Sequence, residues 1–516
     1  MCGKNPNSVS AGHCSSDGLI RLHRRSRVEF LLHIALEPGS GYVQDFEITV
    51  LRELDWERRR VGAERWAYHL RSSNGQIWVQ ADSESRIEHM SNVRIRDVRA
   101  ILTEPEPGSR FTVVKIETTE PGLYGLGCAS LRTRPKAVKA AIEDYLRPFL
   151  IGKDPADIED IWQSAYVSSY WRSGPILNNA LSGVDEALWD IKGKSLGVPV
   201  YDLIGGKARE AAAVYAHASA ATPEEVEDQA WGFIEGGYHH VRVQVATPGF
   251  ATYGASGGEG HDRDPQDGPK WITTKTAPAD DRFAYAQRTG IYEPKPYMRS
   301  AIALLARLRS SVGWKVELLH DVHERLPTIL AVDFAKEVEP FKLFFLEDLL
   351  PPHETGWFER VREQCSTPLS IGEIFNNPLE VVPLITGRLI DFVRTRLSPI
   401  GGITPARKYA AMAELMGVRT AFQGPGNVSP VGQSAHLQVD LNISNFGVQE
   451  EAIYSDRIKE IFPGSPEIRD GFMWSNGQPG LGIDINEKLA AKYPHNDEGG
   501  SYFDNVRRAD GTVVRP

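Results

Sequence analysis

Residues 316–323 read VELLHDVH, residues 343–352 read LFFLEDLLPP, and residues 368–376 read PLSIGEIFN. In each stretch an apolar, β-like run leads up to an acidic residue, which is Asp321, Glu347 or Glu373. These three acids follow one another at intervals of 26 residues. That interval suits one strand–loop–helix–loop unit of a β/α barrel, in which functional residues lie at the C-terminal ends of successive strands. The pattern therefore predicts that three acids meet above the mouth of a barrel.

Three carboxylates at one point repel one another unless a cation lies between them, and hard oxygen ligands favour Mg²⁺. We therefore predict that Asp321, Glu347 and Glu373 are the ligands of a Mg²⁺ ion. The alternative is that they are ordinary solvated acids at strand ends. Their register, each directly after an apolar strand, disfavours that alternative.

Composition narrows the class of protein. The chain has 516 residues, which suits two or three domains, and a net charge of −10, which argues against a nucleic-acid or anionic-membrane partner. Its four cysteines show no metal-ligand spacing and are typical of free thiols in a reducing compartment. The sequence shows neither an apolar run of membrane-spanning length nor the apolar segment of a signal peptide. These features predict a cytoplasmic protein.

From about residue 211 the chain repeats a strand-like run followed, in most cases, by a helical stretch. The runs are AAVYAHAS, YHHVRVQVA, WKVELLHDV, FKLFFLED, TPLSIGE, LIDFVRTRL, VRTAFQG and FGVQEE. Seven such runs, with FGVQEE as the candidate eighth, predict an α/β fold with a modified (β/α)8, TIM-like barrel rather than an open sheet. One connection is much longer, a Gly-, Asp- and Pro-rich insertion at about 246–296 that we interpret as an active-site lid.

The predicted domain boundaries follow changes in the pattern of strand-like and helical segments along the chain. Residues 90–205 read as three strands and then helices, residues 206–455 as the barrel, and residues 456–516 as a C-terminal segment. Residues 1–89 show only a weak pattern, and we predict an N-terminal extension that is disordered or is translated from upstream of the true start. The alternative is a genuine small domain.

Several motifs carry a resemblance to a known family. They are ALSGVDEALWDIKGKSLGVPVYDLIGGKAR, LLHDVHERL, FFLED, IGEIFN, IDFVRT, GGIT and PGLGIDI. From about Met90 onward the chain resembles the enolase superfamily, in its mannonate dehydratase group of acid-sugar dehydratases. The resemblance implies an α+β capping domain, formed by N- and C-terminal segments, over the barrel. It also implies a homo-oligomer.

The resemblance further implies a mechanism. The Mg²⁺ ion binds the substrate carboxylate and stabilises the enediolate formed when the adjacent C2 proton is removed. A Tyr–Arg pair acts as the base, and Tyr253 and Arg242 stand at the matching places. His323 matches the residue that helps the 3-hydroxyl leave as water, although it could instead be only a partner of the metal ligands.

Other positions match the family's substrate pocket, and some depart from it. His217, Arg394 and Glu450 match substrate-contacting residues, although each could instead be structural. Gln423 stands where typical members have a histidine, and an amide cannot transfer a proton at neutral pH. Arg132 stands where the family usually has an asparagine that contacts the substrate. The substrate pocket is therefore expected to differ from that of typical members.

The function predicted from these residues is that of a hydro-lyase. It removes water from a sugar acid such as D-mannonate or D-gluconate and gives a 2-keto-3-deoxy sugar acid. Two alternatives stay open at this point. One is a different enolate reaction, such as epimerisation, on another hydroxy acid. The other is a catalytically weak or silent homologue that binds a small acid as a sensor or as an assembly subunit.

Overall fold

The computed structural model describes residues 93–168, 170–246, 292–495, 508 and 512–515, and it also gives the backbone of five strands within the first 80 residues. The chain divides into two compact units, Met1–Val93 and Arg94–Pro516. The proposed base Tyr253 and nearly all of the predicted lid lie outside the described residues.

The first unit contains two small antiparallel sheets. One consists of β1 (Leu19–Leu22) and β2 (Phe30–His33), and the other of β3 (Glu57–Val61), β4 (Arg65–Ser72) and β5 (Gly75–Gln80). Whether residues 1–89 form a genuine domain or an extension stays a prediction.

The second unit begins with an antiparallel sheet of β6 (Ile95–Thr103), β7 (Phe111–Thr118) and β8 (Tyr124–Cys128). The helices that follow are α1 Pro135–Ala140, a π-helical segment Ala141–Leu146, α2 Arg147–Leu150, α3 Ile158–Ser168, α4 Pro175–Leu196 and α5 Val200–Leu203. The three predicted strands and the long amphipathic helix are confirmed. Helix α4 ends at Gly197, whose φ of 72° allows the left-handed turn that stops the helix.

Eight parallel strands follow, each from one of the eight predicted runs. They are β9 Ala211–Ala220, β10 His240–Val245, β11 Glu317–Asp321, β12 Phe345–Glu347, β13 Leu369–Ile371, β14 Phe392–Val393, β15 Arg419–Thr420 and β16 Gln449–Glu450. The helices of this region are α6 Pro223–Glu235, α7 Pro294–Ser311, α8 Thr328–Glu337, α9 Thr355–Gln364, α10 Pro378–Thr386, α11 Leu397–Ile400, α12 Ile403–Met416 and α13 Pro430–Asn442, with a 3₁₀ turn at Glu339–Phe341.

Hydrogen bonds join these strands into a ring. Strands β9 to β15 pair in chain order, and β16 pairs with β9. Between β15 and β16 the connection is a short parallel bridge, in which Thr420 N donates to Asn445 O (3.0 Å) and Gly447 N donates to Thr420 O (2.8 Å). Glu450 N donates to Phe422 O (3.1 Å) one step further along. The predicted barrel is therefore closed between β15 and β16, where hydrogen bonds of the loop backbone next to these two short strands complete the ring.

The interior of the ring begins with an apolar layer. Its members are Tyr215, Leu319, Phe345, Phe392, Ala421 and Val448, and all of them are buried. They come from six of the eight strands or from residues directly beside those strands. Because side chains on a strand alternate between its two faces, the residues two positions further along point into the same interior, nearer the C-terminal mouth. This relation positions the candidate site.

Helix α4 is joined to the barrel by a buried acid. Asp185 accepts hydrogen bonds from the backbone N and the hydroxyl of Thr404, in the first turn of α12 (2.9 and 2.5 Å). The first backbone N–H groups of a helix have no partner within that helix, and the carboxylate of Asp185 accepts a hydrogen bond from one of them at the start of α12. Gly402 has a φ of 104°, and a Cβ at that position would lie 2.5 Å from Asp185 Oδ2. Only glycine therefore permits this close approach.

The C-terminal residues lie against the sheet of β6 to β8 and against β9. Their elements are α14 Asp456–Ile461, β17 Glu467–Arg469, β18 Phe472–Trp474 and α15 Glu487–Ala490. Strand β18 pairs antiparallel with β9, and Glu487 forms ion pairs of 2.7 Å with Arg99 and Lys115. Among the described helices, none is both long enough and apolar enough to cross a membrane.

Candidate active site

Six of the residues predicted from the sequence line the barrel immediately above its apolar layer. His217, Asp321, Glu347, Arg394, Gln423 and Glu450 each stand two positions after a member of that layer. Arg242 joins them, because it pairs in register with His217 on one side and with Leu319 on the other. The structure therefore brings seven predicted site residues to the same end of the barrel.

Three carboxylates form the tightest acidic group among the described residues. Oxygens of Asp321, Glu347 and Asp348 lie within 4.8 Å of one another, and all three residues are buried. Asp348 was missed by the sequence analysis, since strand alternation directs the residue after Glu347 away from the interior. Its φ of 39° ends the strand in a left-handed turn, so that rule does not apply. The adjacent acids in FLED were the available signal.

Glu373 lies beside this group but is not a member of it. Arg394 Nη1 donates to Glu373 Oε2 (2.8 Å) and to Asp348 Oδ2 (3.1 Å), so one guanidinium joins the two carboxylates. Gly372, with a φ of 138°, places Glu373 beyond the end of β13, and a Cβ there would lie 2.5 Å from the ring of Phe375. Burial alone would raise the pKa of Glu373, but its contacts with His323 and Arg394 hold that pKa well below its usual range.

Arg242 is occupied by the carboxylates of the barrel mouth. Its Nη1 lies 2.9 Å from Glu347 Oε1, 3.4 Å from Asp321 Oδ2 and 3.5 Å from Glu450 Oε1. The side chain is buried; desolvation alone would lower its pKa, but the neighbouring carboxylates raise that pKa instead. Arg242 is therefore a fixed positive charge at the base of the site.

His323 reaches the site by a different route from the one expected. Strand β11 ends at Asp321, and His323 follows it with a φ of 54°, so strand alternation does not set its direction. Instead, His323 N donates to Asp321 Oδ1 (2.8 Å), and its Nε2 lies 3.4 Å from Glu373 Oε1. Burial would lower the pKa of His323, but the contact with Glu373 and the charge of Asp321 outweigh it and raise that pKa. The two neighbouring acids therefore stabilise the charged form of the imidazole.

Glu450 and His217 form the opposite side of the same layer. Glu450 Oε2 accepts from Arg394 Nη2 (2.7 Å) and from the backbone N of Gly424 (3.0 Å). His217 Nε2 lies 3.0 Å from Glu450 Oε1. Although burial works against it, the charge of Arg394 together with His217 lowers the pKa of Glu450 to about 2. Burial and the charge of Arg242 lower the pKa of His217.

Tyr215 is a further member of the site that the sequence analysis missed. Its hydroxyl donates to Glu347 Oε2 (3.3 Å) and accepts from Arg394 Nε (3.1 Å). The ring is fully buried, and burial raises the pKa of its phenol well above the usual range. Tyr215 thus supports two site residues from below. Its place two residues before His217 on one strand was the available signal.

Gln423 is held by a second arginine. Arg396 Nε donates to Gln423 Oε1 (2.7 Å), and Arg396 Nη2 donates to Asn427. Arg396 stands two residues after Arg394, in extended backbone, and therefore lies nearer the barrel mouth on the same side. Arg132, the other departure from the family pattern, is exposed, and its guanidinium lies near the turn at Gly108.

The charges of the mouth favour a divalent cation. Five carboxylates, those of Asp321, Glu347, Asp348, Glu373 and Glu450, contact one another or the two guanidiniums of Arg242 and Arg394. If all are ionised, three negative charges are left in excess. Burial raises the pKa of Glu347 to about 8 despite both arginines, so ionised carboxylates here are under-stabilised. A clustered set of buried oxygen ligands with this excess fits Mg²⁺.

Comparison with known proteins shows the family. The mandelate racemase/muconate lactonizing enzyme N-terminal domain family matches residues 98–205, and the enolase C-terminal domain-like family matches residues 266–489. The D-galactonate dehydratase family member RspA of Pantoea ananatis is 50% identical over 433 residues, which cover 83% of this chain and 100% of that protein. This chain belongs to the D-galactonate dehydratase family of the enolase superfamily. The resemblance to the superfamily is confirmed, and so is the hydro-lyase class of enzyme.

Other relatives agree with this assignment. A D-galactonate dehydratase family member of Musicola paradisiaca is 49% identical over 432 residues, covering 83% of this chain and all of that protein. Among solved structures, an enolase from Pantoea ananatis with bound D-gluconate and Mg is 48% identical, with a TM-score of 0.74, and the match covers 82% of this chain and 100% of that chain. The relatives from Pantoea ananatis (RspA) and Musicola paradisiaca carry the galactonate family name rather than the mannonate one.

Proposed function

We propose that this member of the family is a Mg²⁺-dependent dehydratase of a sugar acid. It removes the proton on C2, expels the 3-hydroxyl as water and gives a 2-keto-3-deoxy sugar acid. The observation that carries the proposal is the buried group of carboxylates at the ends of β11 to β13, joined by Arg394 and flanked by His323. The likeness to a structure that holds D-gluconate and Mg supports the same reaction class.

The metal would be held by Asp321 and Glu347, with Glu373 and Asp348 as the candidates for the third carboxylate. When bound, Mg²⁺ supplies positive charge to the substrate carboxylate and to the negative charge that develops as the C2 proton leaves. Arg242 and Arg394 hold these acids in place, because each contacts Glu347 Oε1, at 2.9 and 2.7 Å respectively.

Proton transfer is assigned to three residues. Tyr253 is the proposed base for the C2 proton, and the guanidinium of Arg242 would favour its phenolate by Coulomb attraction. His323 is the proposed acid that gives its proton to the departing 3-hydroxyl. Its position 3.4 Å from Glu373 Oε1, beside the proposed metal ligands, supports that role.

The remaining pocket residues would contact the substrate hydroxyls. His217, Glu450 and Gln423 stand on, or shortly after, the neighbouring strands β9, β16 and β15, and all of them lie above the apolar layer. D-gluconate is the first candidate substrate, supported by the related structure that binds it, and D-mannonate is the second. The partner is thus a small acid, and the proposed compartment is the cytoplasm.

Elimination is favoured over epimerisation by the residue after the seventh strand. A two-base epimerase needs a proton-transferring group on each face of C2. Gln423 offers only an amide, and that amide is engaged by Arg396 at 2.7 Å. A single base on the Tyr253 side is sufficient for dehydration.

A screen of the purified protein with Mg²⁺ against a library of sugar acids tests the proposal, with 2-keto acids detected by semicarbazide. We expect product from at least one acid of the gluconate or mannonate type, and none from the Glu347→Gln variant. If no acid yields a 2-keto product while the protein binds Mg²⁺, the proposal is wrong and a binding role replaces it.

A further inference from the structure

The side-chain amide of Gln423 has its orientation set by a neighbouring guanidinium. Its Oε1 accepts a hydrogen bond from Arg396 Nε (2.7 Å). A guanidinium carries N–H donors and no acceptor, so the amide atom that faces it must be the oxygen. The NH₂ group of Gln423 therefore points away from Arg396.

Arg396 and Gln423 are neighbours because the pairing of β14 with β15 continues beyond both strands. The ladder in which Val393 stands opposite Thr420 goes on past them, where Gln423 N donates to Thr395 O (3.0 Å). Equal steps along the two chains then bring Arg396 opposite Gln423. Side chains at opposite positions lie on the same face of a sheet, and so the two residues meet inside the barrel mouth.

The backbone that carries Gln423 is fixed on its other side as well. Phe422 O accepts from Glu450 N (3.1 Å), and Gly424 N donates to Glu450 Oε2 (3.0 Å). Gly424 has no room for a side chain, because a Cβ there would lie 2.9 Å from Glu450 O. The side chain of Gln423 therefore projects from a backbone that is held on both sides.

Arg396 is itself held by a second amide. Its Nη2 donates to Asn427 Oδ1, and Asn427 lies in the connection from β15 to α13. The arginine is 8% exposed. Contacts at two different nitrogens restrict the rotation of the planar guanidinium. Arg396 is therefore a fixed support for the amide of Gln423.

The NH₂ group of Gln423 is open to a ligand. Gln423 is 5% exposed, and among the described residues no atom accepts a hydrogen bond from its Nε2. Unlike the unpaired Oε1 of Gln449, which is fully buried, this Nε2 is still reached by solvent. Gln423 shares its layer with Asp321 and Glu347, since each stands two positions after a member of the apolar layer. A ligand held at those acids therefore lies in the same layer as an open donor.

We infer that Gln423 donates a hydrogen bond from Nε2 to an oxygen of the bound sugar acid, and that Arg396 is the positioning residue that holds the amide in this orientation. The inference rests on the proposed function, because it takes a sugar acid as the ligand. The pair selects acids that present an accepting oxygen, of a hydroxyl or a carboxylate, beside β15. A carbon without oxygen at that place would leave the donor unpaired in a largely buried site.

A double-mutant cycle in ligand binding tests the inference. Isothermal titration calorimetry of the Mg²⁺-loaded protein with D-gluconate, and with D-mannonate, gives the dissociation constants of the wild type, Arg396→Met, Gln423→Leu and the double variant. We expect each single variant to bind the acid about three- to tenfold more weakly, because one hydrogen bond is lost. We expect the double variant to bind no more weakly than Gln423→Leu, because Arg396 acts only through the amide.

A matched control separates this role from a general loss of stability. Arg309→Met removes an arginine that donates to Phe341 O (2.8 Å) and to Val316 O (3.0 Å), at the end of the barrel where β11 begins. It should leave the affinity for the acid unchanged. Circular dichroism shows whether each variant is folded. If Arg396→Met does not fold, Arg396→Gln takes its place in the cycle, since an amide can donate or accept and so no longer fixes the orientation of Gln423.

Two results would overturn the inference while the proposed function stands. One is a folded Arg396→Met or Arg396→Gln variant that binds both acids as tightly as the wild type does. The other is a double variant whose loss is the product of the two single losses, because a guanidinium that attracts the acid by its charge weakens binding equally with or without the amide. A wild type that binds neither acid would overturn the inference and the proposed function together, and so the two kinds of failure are distinguishable.

Discussion

The guanidinium of Arg394 and the carboxylate of Glu373 are joined by a hydrogen bond of 2.8 Å between Nη1 and Oε2. The same guanidinium contacts Glu347, Asp348 and Glu450 at 2.7 to 3.1 Å. One buried cation thus connects acids that come from β12, β13 and β16. Either Glu373 or Asp348 is the third carboxylate ligand of the proposed metal site. Glu373 is held by Arg394, whereas Asp348 lies within 4.8 Å of both Asp321 and Glu347.

Replacing single acids identifies the metal ligands. Glu347→Gln should weaken Mg²⁺ binding by on the order of tenfold or more, because a lost ligand leaves the remaining acids repelling each other with less compensation. Of Glu373→Gln and Asp348→Asn, the variant that removes a true ligand should show a loss of similar size. Isothermal titration calorimetry measures the affinities. Glu451→Gln is the matched control, since it removes a buried acid that is bound to Tyr238 instead (2.7 Å). An unchanged affinity in Glu347→Gln would contradict the proposed site.

The proposed base can be separated from the proposed acid by isotope exchange. Tyr253→Phe should abolish the exchange of the C2 proton with D₂O and leave Mg²⁺ binding intact, because only the proton acceptor is removed. His323→Asn should retain some exchange but lose elimination, since the 3-hydroxyl would depart without a proton. Nuclear magnetic resonance of a sugar acid in D₂O follows both events. Exchange that persists in Tyr253→Phe would reassign the base to another residue.

Gln423 gives a test of the substrate pocket. Gln423→His should raise the rate of sugar-acid dehydration by on the order of tenfold or more and add a titration near pH 6–7 to the rate profile, because an imidazole can transfer a proton where the amide cannot. Gln423→Leu removes the hydrogen bond from Arg396 without adding such a group, and it should not raise the rate. Steady-state kinetics over a pH range distinguishes the two variants. If neither variant turns over any acid, the silent-homologue alternative gains support.

The buried acid that joins α4 to α12 should make stability depend on pH. Burial raises the pKa of Asp185 to about 7, above the value near 3.9 expected in the unfolded chain. Its favourable contribution is therefore complete below about pH 4 and is lost as the pH rises through about 7, by on the order of 4 kcal/mol. Denaturant unfolding of the wild type and of Asp185→Asn between pH 4 and 8 measures this. The wild type's advantage over the variant should shrink as the pH rises, and a difference that stays constant with pH would show that Asp185 is ionised throughout.

A chain that starts at Met90 tests the first unit. The compact unit that carries the site begins at Arg94, so we expect the shortened protein to fold and to bind Mg²⁺. Its thermal midpoint should lie within about two degrees of that of the full chain, because we expect residues outside the unit that carries the site to change its stability by only a few tenths of a kcal/mol. Calorimetric scans of both proteins give the comparison. An insoluble product or a much lower midpoint would show that residues 1–89 are a genuine domain.

The sequence by itself determined the parallel strands and the residues at their ends. Short apolar runs such as LFFLED are typical of buried parallel strands, and their regular spacing suits one helix between each strand and the next. Alternation along each strand then fixed the direction of Asp321, Glu347, Arg394 and Glu450, since each follows a residue of the apolar layer by two positions. For this reason most of the candidate site could be predicted from the order of the amino acids.

Only the tertiary structure decided what happens beyond the strand ends. Asp348 and His323 have left-handed backbone conformations, and these turn the two residues toward the site. The sequence pattern around an aspartate or a histidine does not predict such a conformation. Tyr215 and Arg396 were identified by their contacts, with Glu347 and Gln423 respectively. Asn178 likewise joins segments that lie 198 residues apart, because its side-chain amide donates to Asn376 O. Periodicity describes regular elements, whereas these features depend on turns and on contacts between distant parts of the chain, and so the folded protein alone reveals them.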